Sequence, residues 1–185
     1  TSHLDLYIGI YKPCRKRWLK MFKVIDNFLD ENNFKILENE IFKNPFFPWY
    51  YSAYIDFKKN EEQPHKFQFN HVFYDKNTPN SNYYDVLIPL IEKLKCFSLI
   101  KIKANITWYS DKIYEGVYHV DHSRPDAKTA VFYLNTNNGY TKFKKNKKKI
   151  NSVKNRMLIF DSGLEHLGTN TTDTKNRVVL NLNYF

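Results

Sequence analysis

Alternation along two stretches constrains the fold of this chain more than any other feature. Ile100, Ile102, Ala104, Ile106 and Trp108 alternate with Lys101, Lys103, Asn105, Thr107 and Tyr109. At the end of the chain Val178, Leu180, Leu182 and Tyr184 alternate with Arg177, Val179, Asn181 and Asn183. Successive side chains of a strand point to opposite faces, so each run offers an apolar face and a mostly polar one. The apolar faces need cover, and two amphipathic helices can supply it. Residues 30–43 carry Phe34, Leu37 and Ile41 at helical spacing behind Asp30, a suitable N-cap. Tyr84, Leu87, Ile91 and Leu94 mark a second helix with Asp85 as a candidate cap, and Pro89 predicts a kink or a late start there. The polar faces are then left to line an interior. The pattern predicts a mainly β chain with flanking helices, a jelly roll that holds a small molecule inside.

Turn signals divide the remainder. Asn137-Asn138-Gly139 predicts a hairpin between residues 131–135 and 140–143. Asp161-Ser162-Gly163 predicts another turn, which places His166 at the start of a strand. Residues 65–74 read as a strand and 77–82 as a loop. The stretch Phe46-Phe47-Pro48-Trp49-Tyr50-Tyr51 reads as core packing under a strand, with a lid or wall of a binding site as the functional alternative.

Composition limits the function classes. A chain of 185 residues favours one domain with a full core, and five Gly and seven Pro beside fifteen Phe and fourteen Tyr argue against disorder. No apolar run approaches the roughly 18 residues of a membrane span, and no secretory signal is recognisable. Two cysteines, Cys14 and Cys96, make no disulfide framework, so a cytoplasmic location is expected. The net charge of +10 allows a polyanionic partner. Much of it is local: from Lys142 through Lys149 there are six lysines, read as a solvated hairpin, with a phosphate-binding or nucleic-acid-binding patch as the alternative. Residues 1–20 form a basic extension of uncertain status.

Chemistry concentrates after Tyr109. His119 and Asp121 share strand parity and can bind one metal together, with His166 arriving from a distant strand. The bare pattern is weak, since His3-Leu4-Asp5 repeats it. Only the later copy is followed by a second histidine and then an arginine at the head of an alternating strand. Two histidines and a carboxylate with open positions suit non-haem Fe(II); zinc with a bound water is the rival. His122 falls on the opposite face, His71 reads as structural, and Asp161 and Glu165 read as turn and surface groups.

Several pieces resemble the Fe(II)- and 2-oxoglutarate-dependent dioxygenases, most closely their small prolyl-4-hydroxylase-like, often phage-encoded members. They are Tyr118-His119-Val120-Asp121, Val131-Phe132-Tyr133-Leu134-Asn135, Gly139-Tyr140-Thr141-Lys142-Phe143, Arg156-Met157-Leu158-Ile159-Phe160-Asp161-Ser162, Glu165-His166-Leu167-Gly168 and the run 177–185. More loosely the resemblance reaches back to Met21, implying one dioxygenase domain over 21–185. It implies a double-stranded β-helix, cupin-like, with His119, Asp121 and His166 as ligands of Fe(II). 2-Oxoglutarate takes two of the remaining coordination positions and O2 the third; ascorbate is a further candidate cofactor. Arg177 would pair with the distal carboxylate of 2-oxoglutarate. Tyr133 matches a tyrosine bonding the same carboxylate, Tyr109 is a second candidate, and Asn105 and Asn181 are inner-wall candidates. The implied reaction hydroxylates a C–H bond with release of succinate and CO2, on a protein or peptide side chain with proline first. Oxidation of nucleic-acid bases and hydroxylation of a free amino acid or small metabolite are the alternatives. Against the first, alkylation-repair demethylases carry another arginine soon after the one on this strand, and Arg177 has no such follower. A catalytically dead jelly-roll binding module is disfavoured because every ligand is present. The implied location is the cytoplasm, the host's if the chain is viral.

Overall fold

The computed structural model describes residues 22–53 and 67–185. The basic stretch 1–20 with Cys14 and His3, and the start of the strand expected from His65, lie outside the described residues. Strand β1 (Phe22–Ile25) leads to helix α1 (Glu31–Leu37), which runs on into a π-helical stretch, Glu38–Lys43. The Asp30 carboxylate caps α1 by accepting the Asn33 backbone N–H at 3.0 Å. Phe34, Leu37 and Ile41 are buried, as their spacing requires. Strands β2 (Tyr50–Ser52), β3 (Gln68–Asp75) and β4 (Thr78–Pro79) follow. A 3-10 turn, Tyr84–Leu87, then precedes α2 (Ile88–Leu94). Pro89 lies in the first turn of α2, where its missing N–H breaks no helical bond, so the helix starts late. Asp85 falls inside the 3-10 turn and does not cap α2, whose N-cap position is Leu87.

The remaining strands are β5 (Leu99–Trp108), β6 (Lys128–Tyr133), β7 (Tyr140–Phe143), β8 (Lys149–Asn151), β9 (Arg156–Asp161), β10 (His166–Gly168) and β11 (Asn176–Tyr184). They form two antiparallel sheets. The larger has the order β1-β9-β6-β11-β5-β3-β2 with β4 on β3, and the smaller is β10-β7-β8. The segment after β5 runs beside β10 through isolated bridges, Glu115 to Thr169 and His119 to His166. This is the jelly-roll arrangement that the alternation predicts.

The alternation sorts the two faces of the large sheet. Ile102, Ala104 and Ile106 of β5 and Val178, Leu180, Leu182 and Tyr184 of β11 face the helices, joining Phe34, Leu37, Ile41, Leu87 and Leu90 in the main core. Phe132 lies at its centre, edge-on to both Phe28 and Phe34. Between the sheets a second cluster gathers Val131, Tyr133, Phe143, Ile150, Leu158, Phe160 and Val179. Val131 and Val179 of this cluster also line the cavity between the sheets. Of the aromatic stretch only Phe47 is buried in the core, against Trp49, His71, Phe73 and Tyr83, whereas Phe46, Tyr50 and Tyr51 are exposed. His71 is structural, its ring nitrogens bonded to Pro48 O and Ser81 Oγ, each at 2.7 Å.

The hairpin expected at Asn137-Asn138-Gly139 does not form. β6 pairs with β11 and β9, β7 pairs with β10 and β8, and the turn carries the chain from one sheet to the other. Gly139 has no positive φ, so turn geometry does not demand glycine there. Space does: a Cβ would lie 2.5 Å from Asn170 O and 2.6 Å from Arg177 Cδ. No helix among the described residues is long and apolar enough to cross a membrane.

Candidate active site

The metal-ligand candidates meet because two short extended segments run antiparallel. His119 N–H donates to His166 O and His166 N–H to His119 O, both at 3.0 Å. This pairing sets the two imidazoles side by side, with ring centroids 4.6 Å apart. Asp121, two residues on, shares their face and is held by its own N–H to Ser162 O at 3.1 Å. One ligand atom from each of the three lies within 4.8 Å of the others. Asp121 Oδ1 is 3.6 Å from His119 Nε2, and Oδ2 is 3.7 Å from His166 Nε2.

Both rings are oriented by the backbone. His119 Nδ1 meets Val117 O at 3.0 Å and His166 Nδ1 meets Leu164 O at 2.9 Å. A carbonyl can only accept, so each Nδ1 carries the proton and each Nε2 lone pair turns inward, as a metal ligand requires. The carboxylate is fixed as well. Thr129 Oγ1 donates to Asp121 Oδ2 at 2.8 Å and Asn183 Nδ2 does so at 3.2 Å. Ser162 Oγ and Asn183 Nδ2 both reach Thr129 Oγ1 in turn. Burial alone would raise the Asp121 pKa, but the neighbouring His119 and His166 rings and the Thr129 hydroxyl together hold it well below the usual carboxylate range. Burial pushes the His166 imidazole below its ordinary value against the pull of Asp121. The set offers one carboxylate and two imidazole nitrogens within reach of a single ion, a donor set suited to a divalent metal.

The three ligands open onto a cavity of about 380 Å³ between the sheets. Arg177 also lines it and is 5% exposed. Its Nε donates to Ser152 Oγ at 2.8 Å, Nη1 to Thr169 O at 3.3 Å and Nη2 to Thr141 Oγ1 at 3.4 Å. All three acceptors are neutral, and no carboxylate pairs with Arg177 among the described residues. A guanidinium has five N–H donors, so two remain for a ligand. Burial disfavours its charge while the Tyr133 ring, 5.6 Å away, favours it. The donor set and this arginine fit a metal and an anionic cosubstrate in one cavity.

The other expected residues divide. Asn105, Asn181 and Tyr109 line the cavity, with Tyr109 56% exposed at its mouth. The buried Asn105 Oδ1 has no hydrogen-bond partner among the described residues. Tyr133 is fully buried, absent from the cavity wall, and donates its hydroxyl to Thr141 Oγ1 at 2.8 Å. It therefore supports Arg177 from behind, and Thr141 is the hydroxyl that meets the cavity. His122 accepts from the Arg124 N–H and faces Phe185, away from the metal ligands. Asp161 pairs with Lys128 and Glu165 with Lys144 at the surface. Sequence reasoning missed the roles of Thr129, Ser162, Thr141 and Ser152, which lie on no long alternating run. Asn183 and Lys103 were placed on the inner face by parity, but without a role.

No protein-family model matches the sequence, and no curated protein matches it. Solved structures do. A viral collagen prolyl hydroxylase from Paramecium bursaria Chlorella virus-1, in complex with 2-oxoglutarate, is 16% identical with a TM-score of 0.57, over 89% of this chain and 96% of that one. A Trichoplax adhaerens prolyl hydroxylase, in complex with a peptide of the hypoxia-inducible factor oxygen degradation domain, is 15% identical with a TM-score of 0.63, over 89% and 83%. A non-haem alpha-ketoglutarate-dependent epimerase of nogalamycin biosynthesis is 10% identical with a TM-score of 0.60, over 89% and 77%. These likenesses show that the chain has the double-stranded β-helix fold in which such oxygenases are built.

Proposed function

We propose that the chain is an Fe(II)- and 2-oxoglutarate-dependent dioxygenase that hydroxylates a C–H bond of its substrate and releases succinate and CO2. One observation carries this reading. A buried guanidinium with no carboxylate partner among the described residues shares one cavity with two histidines and an aspartate. A buried charge is costly unless paired, and the distal carboxylate of 2-oxoglutarate provides the pair. Zinc-dependent hydrolysis would account for the three ligands but not for the arginine. When bound, Fe(II) and 2-oxoglutarate supply the activation of O2 for C–H oxidation. The protein does the rest by position. His119 and His166 present Nε2, Asp121 is held ionised by Thr129 and Asn183, and Arg177 and Thr141 orient the cosubstrate.

For the substrate, the reading is a protein or peptide side chain, with proline first. Its support is the fold shared with two prolyl hydroxylases, one in complex with a peptide. Oxidation of a nucleic-acid base has less support, because Lys142 and Lys144 of the lysine run are already paired with Glu115 and Glu165. The test is succinate release with Fe(II), 2-oxoglutarate and O2, screened against proline-containing peptides, single-stranded DNA or RNA, and free amino acids. Succinate should rise with a peptide in the wild type and not at all in Asp121→Ala. Unchanged succinate formation by that variant would remove the metal assignment, and stimulation by nucleic acid alone would replace the substrate class.

A further inference from the structure

We propose that Lys103 receives a carboxylate of the primary substrate, so that the carbon to be oxidised lies beside an acidic group. The inference rests on the dioxygenase reading and names the substrate class of that same cavity. Lys101 and Lys103, two residues apart on β5, both line the cavity. Lys101 is neutralised by Asp75 at 3.0 Å. Lys103 forms no ion pair among the described residues although it is partly buried. Burial and the neighbouring Lys101 both act against its charge, and only Asp121 favours it. An ammonium on a cavity wall with no partner calls for an anion.

Position separates that anion from the distal carboxylate of the cosubstrate. Across the β5–β11 ladder Arg177 stands opposite Thr107, whereas Lys103 stands opposite Asn181 and Lys101 opposite Asn183, which bonds Asp121. Four residues of strand, about 13 Å, separate the Arg177 level from the Lys103 level. Lys103 therefore belongs to the metal end of the cavity, where a substrate presents its reacting carbon. Two residues from it Asn105 holds a buried amide oxygen without a partner among the described residues, complementary to an N–H. A carboxylate near an N–H is the chemistry of an amino acid, or of a peptide with an acidic side chain or a free C-terminus. A phosphodiester backbone supplies no such donor.

Calorimetric titration of the full chain with Mn(II) tests this. 2-Oxoglutarate is titrated first, and then, at saturating 2-oxoglutarate, free L-proline and L-glutamate, a peptide with glutamate next to proline, the same peptide with glutamine in that place, and a short single-stranded DNA. 2-Oxoglutarate should bind the wild type and Lys103→Met equally. At least one acid probe should bind the wild type, about ten- to a hundredfold more weakly in Lys103→Met, with much of the affinity retained in Lys103→Arg. The glutamine peptide should bind no better than the weakened case, and preference between free acids and peptide identifies the source of the carboxylate. Failure of the wild type to bind 2-oxoglutarate would overturn the parent reading and this one with it. Intact 2-oxoglutarate binding with no acid probe bound, with a bound probe indifferent to Lys103, or with only the DNA lost in Lys103→Met would overturn this inference alone. Loss of 2-oxoglutarate affinity in Lys103→Met would assign the lysine to the cosubstrate instead.

Discussion

Gly139 illustrates how a single side-chain atom bears on the cavity. A methyl group there would meet a backbone carbonyl at 2.5 Å and Arg177 Cδ at 2.6 Å, and the arginine is the more movable of the two. Gly139→Ala should therefore displace the guanidinium, lowering 2-oxoglutarate affinity while leaving metal affinity near the wild-type value. Overpacking of this kind should cost about 1–3 kcal/mol in denaturant unfolding. Normal cosubstrate affinity would show that Arg177 has room to spare. Thr129→Val is the matching change on the metal side, since it keeps shape but removes the hydroxyl that donates to Asp121. Metal affinity by competition with a chelator should fall about ten- to a hundredfold; an unchanged value would mean Asn183 alone orients the carboxylate. Residue type and the shared parity of His119 and Asp121 made the three ligands candidates and the resemblance supplied the role of Arg177, and all four line one cavity. The reason for Gly139 was not legible: local sequence reads as a turn, while the crowding comes from Asn170 and Arg177, both distant in sequence.

At the scale of elements, the lysine run is two different things. The hairpin forms, with Phe143 N–H donating to Lys148 O at 3.0 Å. Lys142 is pinned to both oxygens of Glu115, at 2.7 and 2.8 Å, where Tyr140 also donates at 2.8 Å, so it fastens a cavity wall to β7. Lys145 and Lys148 are exposed at the turn and form no ion pair among the described residues. Replacing Lys145, Lys147 and Lys148 with serine should leave 2-oxoglutarate affinity unchanged, because exposed charges at a turn are screened by salt. A tenfold or larger loss in calorimetry would place the turn within the site. The long elements were readable because β5 and β11 repeat their alternation many times and α1 carries both cap and apolar stripe. β8 and β10 have three residues each, too few for a period, so only turn signals marked that region and one turn was misjudged.

For the whole molecule, β11 ties stability to function, because one face builds the helix-covered core and the other lines the cavity. The two faces should be separable by mutation. Phe132, on β6 opposite Leu180 of β11, is fully buried on the core side of the same sheet. Phe132→Ala should cost about 3–5 kcal/mol in denaturant unfolding, yet leave 2-oxoglutarate affinity of the folded fraction close to wild type; a matching loss of affinity would mean that core packing and site geometry are coupled. The central claim is that one cavity holds a metal and, through Arg177, 2-oxoglutarate. Calorimetric titration of 2-oxoglutarate into Mn(II)-loaded wild type, metal-free wild type, Arg177→Ala and Lys175→Ala tests it most directly. Lys175 is exposed, whereas Arg177 is buried on the cavity wall. The account predicts tight binding only with metal, weakened at least about a hundredfold in Arg177→Ala, as expected for a buried charged pair, and unchanged in Lys175→Ala. Binding that survives loss of the metal, or that is indifferent to Arg177, would contradict it.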